Sequence, residues 1–496
     1  MRSRPLRFSP APWQLTALDA LAGGAAVSLA MVLRFVDEGS IPSTYVQRLL
    51  PWIVLAAAIE IAAGEVMNRL RKPGSMLARR PVAPFVVATL AALLVVLVIN
   101  DLVLREPWRL PHFVAIVGPL LATTASAALR IAAARVIDIE ELLTRPVVRL
   151  DLERCAAALA GKRVLITGGA GSIGAELTRQ VLAVGPACVL AVDMNETGLY
   201  ELAGDLTATG VPVRTCIADV TDTRRMRELF LRERPDVVFH AAAYKHVPLV
   251  EANPDQGFVT NVLGTLSVCE AATAAGVKRV VLISTDKAVN PSSFMGLTKR
   301  VAELLVVAVG QAAAEGTVLS AVRFGNVLGS RGSVVPTLLR QIEAGGRITI
   351  THRDAQRFFM TVTEAASLVL LAAAFGTPGG LFVLDMGDEV RIEQLAERLV
   401  RLKGLRPGRD VTFEYVGLRP GEKLREELHS AEERLLPSEY AAVWRVEPTY
   451  TVDAETLLTG VREIATRRRA GELDAADYPA LLRALIDRAV RQLAVI

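Results

Sequence analysis

The stretch Val164-Leu165-Ile166-Thr167-Gly168-Gly169-Ala170-Gly171-Ser172-Ile173-Gly174 limits what this chain can fold into more than any other. A β-branched run feeds a glycine-rich turn, and Ala175-Glu176-Leu177 then opens a helical pattern. The spacing predicts strand, turn and helix, with Gly168, Gly171 and Gly174 in a G-x-x-G-x-x-G register. Such glycines permit a tight turn and let backbone approach a pyrophosphate, while the helix N-terminus turns its free N–H groups toward that anion. Gly168, Gly171, Ser172, Ile173 and Gly174 are the cofactor-binding candidates of this turn. A glycine pattern alone is weak, but three neighbours support it. Val189-Leu190-Ala191-Val192 reads as a second buried strand ending on Asp193, about 20 residues past the glycines, where a ribose-binding acid belongs. Thr215 to Val220 reads as a third strand with Asp219 and Val220 at its tip. Val237-Val238-Phe239-His240 reads as a fourth, followed by Ala241, Ala242 and Ala243, small enough for a cofactor to lie close. The alternative is a glycine turn in some other α/β domain. Asp193 also selects the cofactor. A carboxylate accepts hydrogen bonds from a ribose 2′-hydroxyl and repels a 2′-phosphate, and Met194-Asn195-Glu196 offers no cation to neutralise one. NAD is favoured over NADP, with Asp193 and Asn195 on its ribose side.

At 496 residues the chain is long enough for two or three domains. It is 52% hydrophobic with a mean hydropathy of +0.37, and the excess is concentrated before about residue 135. Leu15 to Phe35, Trp52 to Met67, Val82 to Leu104 and Phe113 to Ala134 are apolar, and Val86 to Ile99 carries no charge. The expectation is a four-helix transmembrane anchor over 1–135, in contact with the lipid bilayer, since ~20 apolar residues span the hydrocarbon. Asp19, Glu60 and Glu65 fall in these stretches, either as an intramembrane polar site or near the interface and facing neighbouring helices. The first stretch is too long, and followed by too many others, for a cleaved signal peptide. Orientation is read from Arg2, Arg4 and Arg7 at the N-terminus and Arg69, Arg71, Lys72, Arg79 and Arg80 in the second loop. Arg48, Arg105 and Arg109 in the other loops are fewer, and Arg130 and Arg135 mark the exit. Both termini are then cytoplasmic, which predicts a multi-pass protein of the inner membrane with its catalytic domain in the cytoplasm. The net charge of +4 partly reflects this topology, and there is no separate nucleic-acid patch. Cys155, Cys188, Cys216 and Cys269 form no C-x-x-C pair and read as thiols in a reducing compartment. The five histidines show no metal-ligand spacing, so no metal is expected.

Residues 136–161 read as a connector and 162–323 as a dinucleotide-binding domain in which strands alternate with helices, the pattern of a parallel, doubly wound sheet. A mixed substrate-binding region over 324–450 and a helical segment over 451–496 complete the division. The fifth strand, Val280-Val281-Leu282-Ile283, runs into Ser284-Thr285-Asp286-Lys287. Chemistry in such sheets sits at the carboxyl ends of strands, which puts this tetrad where a nicotinamide ring would lie. The plain alternative for Asp286-Lys287 is a solvated turn pair. A helix follows with Met295 and Lys299 on one face. At the C-terminus, Leu481, Leu482, Leu485, Ile486, Ala489, Val490 and Leu493 form an apolar helical face, for packing on its own domain or for a homo-oligomer contact.

Three motifs together give a definite resemblance. They are Thr167 to Gly174, His240-Ala241-Ala242-Ala243-Tyr244-Lys245-His246-Val247-Pro248, and Ser284-Thr285-Asp286-Lys287-Ala288-Val289-Asn290-Pro291. With Arg323 to Ser333, Arg357-Phe358-Phe359-Met360-Thr361 and Arg419-Pro420-Gly421-Glu422-Lys423-Leu424, the chain resembles the extended short-chain dehydrogenase/reductases. Within them it is similar to the membrane-bound nucleotide-sugar 4,6-dehydratases of bacterial polysaccharide biosynthesis. The likeness is dense over about 140–430 and loose over the apolar stretches. It implies a Rossmann domain and an NAD-dependent conversion of a UDP-N-acetylhexosamine, foremost UDP-N-acetylglucosamine, to the 4-keto-6-deoxy sugar. C4 is oxidised, water is eliminated across C5–C6, and hydride returns to C6. The resemblance assigns Asp286 as acid, Lys287 as base given a lowered pKa, Thr285 to the C4 oxygen, and Lys299 to the nicotinamide ribose. Lys245 and His246 fall on the substrate side; Asn326, Ser333, Arg357, Arg419 and Glu422 fall on the nucleotide diphosphate, with Arg357 as a phosphate fork. Surface salt bridging is the plain alternative for these. Two departures stand out. Many long members carry a further nucleotide-binding-like domain for which this chain has no room. The usual Tyr-x-x-x-Lys is here Met295-Gly296-Leu297-Thr298-Lys299, which removes the usual hydroxyl base and leaves Asp286, Tyr244 or a water for the C4 proton. Contending functions are a nucleotide-sugar 4-epimerase and an inactive nucleotide-sugar-binding scaffold.

Overall fold

The computed structural model describes residues 6–7, 12–38, 40–47, 49–70, 83–103, 110–133, 136–137, 139–143, 145–148, 151–206, 211–312, 316–345 and 347–492. They fall into two units. One comprises Asp138–Leu399 and Pro407–Ile496 with Met1–Arg4, and the other Pro5–Ile137 with Val400–Arg406.

The smaller unit is built from helices α1 (Pro12–Phe35), α2 (Leu49–Leu70), α3 (Ala83–Val98) and α4 (His112–Ala133). Val27, Met31, Phe35, Trp52, Ala56 and Val114 make its apolar core. Gly23 sets the approach of α1 to α2, since a Cβ there would stand 2.6 Å from the Ala56 carbonyl oxygen. The expected transmembrane anchor is not borne out: among the described residues no helix is long and apolar enough to cross a membrane. The most apolar helix, α3, has 16 residues and runs into a π-helical turn, Ile99–Val103, that brings in Asn100 and Asp101. The longer helices are interrupted by polar groups: Asp19 in α1, Glu60 and Glu65 in α2, and Thr123, Thr124 and Ser126 in α4. Asp19 and Glu60 are buried, Asp19 accepting a hydrogen bond from Ser126. The predicted bilayer contact and multi-pass inner-membrane location fall with the anchor. The orientation residues Arg2, Arg4, Arg48, Arg71, Lys72, Arg79, Arg80, Arg105, Arg109 and Arg135 lie outside the described residues, as do the side chains of Arg7, Arg69 and Arg130.

The larger unit is organised on one nine-stranded sheet. Its strands are β1 (Arg163–Thr167), β2 (Cys188–Asp193), β3 (Val213–Ile217), β4 (Val237–His240), β5 (Arg279–Ile283) and β6 (Val318–Arg323). After the short pair β7 (Asn326–Leu328) and β8 (Phe359–Thr361), β9 (Gly380–Leu384), β10 (Glu433–Pro437) and β11 (Val443–Pro448) complete it. The order is β10-β11-β9-β6-β5-β4-β1-β2-β3, parallel from β9 to β3, with the hairpin β10–β11 added antiparallel. β1 and β4 are buried almost throughout, as expected of parallel strands covered on both faces. On one face pack α6 (Gly264–Ala274), α7 (Phe294–Ala312), α10 (Ala454–Arg469) and α11 (Asp477–Ala489), through Val268, Val301, Leu305, Val461, Leu482 and Leu485. On the other lie α5 (Ser172–Ala183) and α9 (Val362–Phe375), through Leu177, Val181, Leu368, Val369 and Leu371; between them in sequence runs α8 (Val334–Ala344). The apolar face of α11 therefore packs within its own unit; Leu493 lies outside the described residues.

The order in which strands are laid down reverses between β1 and β4, which pair in parallel with Thr167 beside His240. Crevices for ligands form at such reversals, beyond the carboxyl ends of the strands.

Candidate active site

At the end of β1, Gly168 has φ +69°, and a Cβ there would lie 2.6 Å from the Ala241 carbonyl carbon and the Ala242 nitrogen. A Cβ on Gly174 would overlap the Gly168 carbonyl oxygen. Neither position has room for a side chain, so the turn lies flat against the end of β4. Helix α5 starts at Ser172 with Gly171 as its N-cap, leaving its first N–H groups without a capping side chain. Asp193, ending β2, accepts hydrogen bonds from Ala170 N at 2.9 Å and Asn195 N at 2.9 Å, bracing the glycine turn from the side. The Asn195 side chain accepts from Gly198 N at 3.0 Å. Asp219 is exposed just past β3 and accepts from Thr221 N, while Val220 is buried.

A cleft of about 470 Å³ opens at this end of the sheet. Its cofactor side is made by Gly168, Gly171, Ser172, Ile173, Gly174, Ala241 and Ala243. Thr285, Lys287, Met295 and Lys299 line its centre, and Lys245, His246, Asn326 and Ser333 its far side. Ala242, Asp193, Asn195, Asp219 and Val220 stand outside this lining. Asp286 also lies behind the surface, completely buried.

The tetrad after β5 is tightly bonded. Asp286 Oδ1 accepts from Thr285 Oγ1 at 2.9 Å and from Lys287 Nζ at 2.9 Å. Lys287 Nζ also donates to Asn326 Oδ1 at 3.0 Å and stands 3.6 Å from Glu426 Oε1. Asp286 Oδ2 is buried with no hydrogen-bond partner among the described residues, and a Cβ at Gly325, which lines the cleft, would lie 3.1 Å from it. The pair is thus no solvated turn. Burial would lower the Lys287 pKa, but the Asp286 and Glu426 carboxylates outweigh it and hold the ammonium above its ordinary range. The lowered value that a resting amine base requires is not what this site provides.

Lys299 behaves differently. Its Nζ donates to the Ile283 carbonyl at 2.7 Å, and burial pushes its pKa down to about 8, with Glu303 pulling weakly the other way. Met295, one turn earlier on α7, is 2% exposed and borders the cleft. His240 is buried between Thr167 Oγ1 and Thr265 Oγ1, and burial, with Lys299 nearby, drops its pKa to about 3. It is a neutral strut between β1 and α6.

The 326–333 segment folds back over the cleft. Arg331 N donates to Ser172 Oγ at 3.0 Å, Lys245 Nζ donates to Ser330 Oγ at 3.4 Å, and Gly332, at φ +70°, faces the His246 ring. Ser333 precedes α8 with its Oγ buried and without a hydrogen-bond partner among the described residues. Arg357, Arg419 and Glu422 do not line the cleft. Arg357 instead holds the 419–424 loop, donating to Glu422 Oε1 at 3.2 Å and to the Leu424 and Lys423 carbonyls. Glu422 Oε2 accepts from Arg419 N at 3.2 Å. Glu426, 5% exposed against Lys287 and Arg357, is a member of this cluster that sequence reasoning missed. In Arg425-Glu426-Glu427 it looks like one more charge on a solvated face, and only its place four residues after Glu422 hinted otherwise.

The profile of the polysaccharide biosynthesis protein family matches residues 164–448. The chain is 43% identical over 325 residues to the capsular polysaccharide biosynthesis protein CapD of Staphylococcus aureus, covering 64% of this chain and 53% of that one. It thus spans about half the length of that relative. It is 33% identical over 300 residues to the UDP-N-acetylglucosamine 4,6-dehydratase (inverting) of Campylobacter jejuni, covering 60% of this chain and 86% of the relative. Among solved structures, Pen from Bacillus thuringiensis superposes with a TM-score of 0.54 at 33% identity, covering 59% of this chain and 90% of that one.

Proposed function

The chain belongs to the polysaccharide biosynthesis protein family, and from that premise we propose that it is an NAD-dependent nucleotide-sugar 4,6-dehydratase acting on UDP-N-acetylglucosamine. The observation that carries this reading is Lys287 lining the cleft and paired at 2.9 Å with Asp286, which is completely buried behind it with Oδ2 free of any partner among the described residues. A 4-epimerase needs oxidation at C4 but no acid and base at C5 and C6, so a buried pair in addition to Lys299 favours elimination. The similarity to the Campylobacter enzyme supports the same choice.

NAD is the cofactor. The side-chain-free surface at Gly168 and Gly174 admits its pyrophosphate at the N-terminus of α5, and Asp193 stands at the ribose side. When bound it supplies reversible hydride acceptance at C4 and return at C6. Lys299 holds the nicotinamide ribose through its ammonium. Thr285 positions the C4 oxygen. Asp286, buried behind Thr285, takes the C4 hydroxyl proton through the Thr285 hydroxyl that donates to its Oδ1 at 2.9 Å, and later returns it by the same route for the departing C6 hydroxyl. Lys287 removes the C5 proton and returns it after reduction at C6. The α8 end, with Ser333 Oγ unpartnered among the described residues, and the Lys245–His246 loop receive the UDP-sugar.

Mass spectrometry of the product made from UDP-N-acetylglucosamine and NAD is the test. Loss of one water supports the dehydratase, a product of unchanged mass defeats it in favour of epimerisation, and no turnover at all with both ligands bound would leave a binding scaffold. Lys287→Ala should abolish turnover with NAD still bound, and full activity in that variant would mean a different base.

A further inference from the structure

The Lys287 ammonium cannot remove a proton until it has lost one. Its Nζ donates to Asp286 Oδ1 at 2.9 Å and to Asn326 Oδ1 at 3.0 Å, and its remaining charge partner is Glu426 Oε1 at 3.6 Å, an ion pair one small side-chain shift short of a hydrogen bond. Asn326 is an amide and takes no proton, and Asp286 is committed to the C4 and C6 oxygens. Glu426 remains. We infer that Glu426 is the proton partner of Lys287, a positioning residue that takes one ammonium proton and so frees the Nζ lone pair as C5 gives up its hydrogen. The inference rests on the dehydratase reading and deepens it.

The geometry around Glu426 is that of a proton acceptor more than of a structural ion pair. Its Oε2 is buried without a hydrogen-bond partner among the described residues. Arg357 directs its hydrogen bonds to Glu422 and backbone carbonyls, leaving its Nε 3.9 Å from Glu426 Oε1. Lys423 is turned to the Val289 carbonyl and Glu427. A buried carboxylate with an unpaired oxygen is stabilised by a proton. Burial raises the Glu426 pKa, Asp286 adds to the rise, and Lys287, Arg357 and Lys423 oppose it without cancelling it.

The step balances. One N–H bond of Lys287 breaks and one O–H bond forms on Glu426, leaving a neutral amine beside a neutral acid. The amine takes the C5 proton; the C5–H electrons form the C5–C6 double bond, and the C6–O bond breaks as Asp286 supplies the proton that leaves in water. When C6 is reduced, Lys287 returns its proton to C5 and recovers the other from Glu426. No proton is gained or lost at this pair over a cycle.

Glu426→Gln tests this in the full chain with UDP-N-acetylglucosamine and NAD. The expected result is a fall in kcat of about 10²-fold, with KM and NAD affinity nearly unchanged. The decisive readout is pH. Without its internal acceptor, Lys287 must lose a proton to solvent, so the ratio of variant to wild-type kcat rises about tenfold per pH unit across neutral pH. Titration of Lys299 near 8 is common to both proteins and cancels in that ratio. Deuterium uptake at C5 in heavy water should slow in parallel, and Glu426→Asp should restore a flat ratio. A loss that is independent of pH, or no loss, overturns the inference. If Glu426→Gln does not fold, Glu426→Asp decides alone: a flat ratio with kcat above that of Lys287→Ala upholds it, and activity no better than Lys287→Ala overturns it. Wild-type product of unchanged mass would instead sink the dehydratase reading itself.

Discussion

Gly168→Ala should cost this protein its cofactor before it costs it its fold. Two penalties meet at the position. A φ of +69° is a left-handed conformation, which destabilises an L-residue by about 1–2 kcal/mol. The added methyl would also stand 2.6 Å from two backbone atoms of Ala241 and Ala242, which follow directly on β4 and are tied to β1 by the hydrogen bond from Ala241 N to Thr167 O at 3.0 Å. Forced overpacking of that kind costs about 1–3 kcal/mol more, for a total of about 2–5 kcal/mol. The turn can relieve the clash only by lifting off the end of β4, and that moves the N–H groups meant for the pyrophosphate. The strain therefore emerges largely as lost affinity, about 10²–10³-fold in the NAD Kd. Gly185 is the internal control, with φ +70° and open space where its Cβ would stand, so Gly185→Ala carries the conformational penalty alone. Calorimetric titration with NAD and thermal melts of both variants make the comparison. Equal NAD affinities in the two would refute the close-approach argument, because only backbone conformation would then matter.

Two further outcomes follow from the buried charges, and one from the cleft. Arg323→Met should destabilise the larger unit by about 3–5 kcal/mol, since Glu303 and Glu433 would stay buried with only Arg300 between them; denaturant unfolding measures it, and a loss below ~1 kcal/mol would contradict it. Burial alone would raise the Glu433 pKa, but hydrogen bonds and charge from Arg323, then Arg300, bring it from 4.5 to about 2. A depressed carboxyl contributes stability above its unfolded value and loses it as pH falls, so about 3 kcal/mol should disappear between about pH 4.5 and 2 in the wild type and not in Glu433→Gln. Met295→Tyr should keep turnover and gain as much as ~10²-fold in kcat where removal of the C4 proton limits the rate; collapse of kcat with NAD and substrate still bound would mean that the methionine is built into the site.

Much of the larger unit was legible because its signals are local. The glycine turn, the apolar strands and the acid at Asp193 each declare themselves within a few residues, and the parallel order follows from strand–helix alternation. The hairpin β10–β11 was not legible, since its strands mix charged and apolar residues and it joins the sheet beyond β9, far from its sequence neighbours in the core. The state of Lys287 was missed for a related reason. Desolvation can be guessed from a strand-end position, but its reversal depends on how closely Asp286 pairs with the ammonium and on Glu426, 139 residues later in the chain. The hold of Arg357 on the 419–424 loop was not legible either, because an arginine that binds phosphate and one that ties down a loop look alike in sequence. The apolar N-terminal stretches were read as spans from their length and scarcity of charge, whereas the helices they form are shorter than the stretch, as in α3, or carry Asp19, Glu60 and Ser126 as buried polar groups.

The Arg323 cluster also has a consequence for synthesis on the ribosome. Ser284, two residues before Asp286, donates to Glu303; Glu303 binds Arg323; and the second carboxylate on Arg323 is Glu433, which follows it by 110 residues. A nascent chain that has released β1 to β6 holds two guanidinium groups, Arg300 and Arg323, against the single carboxylate of Glu303, at the very strand that borders the cleft. The central sheet cannot close dry around Arg323 until the hairpin has left the exit tunnel. The order of emergence thus keeps the cleft end of the sheet open until about four-fifths of the larger unit has been made, and truncations before residue 433 should yield chains that bind chaperones instead of cofactor.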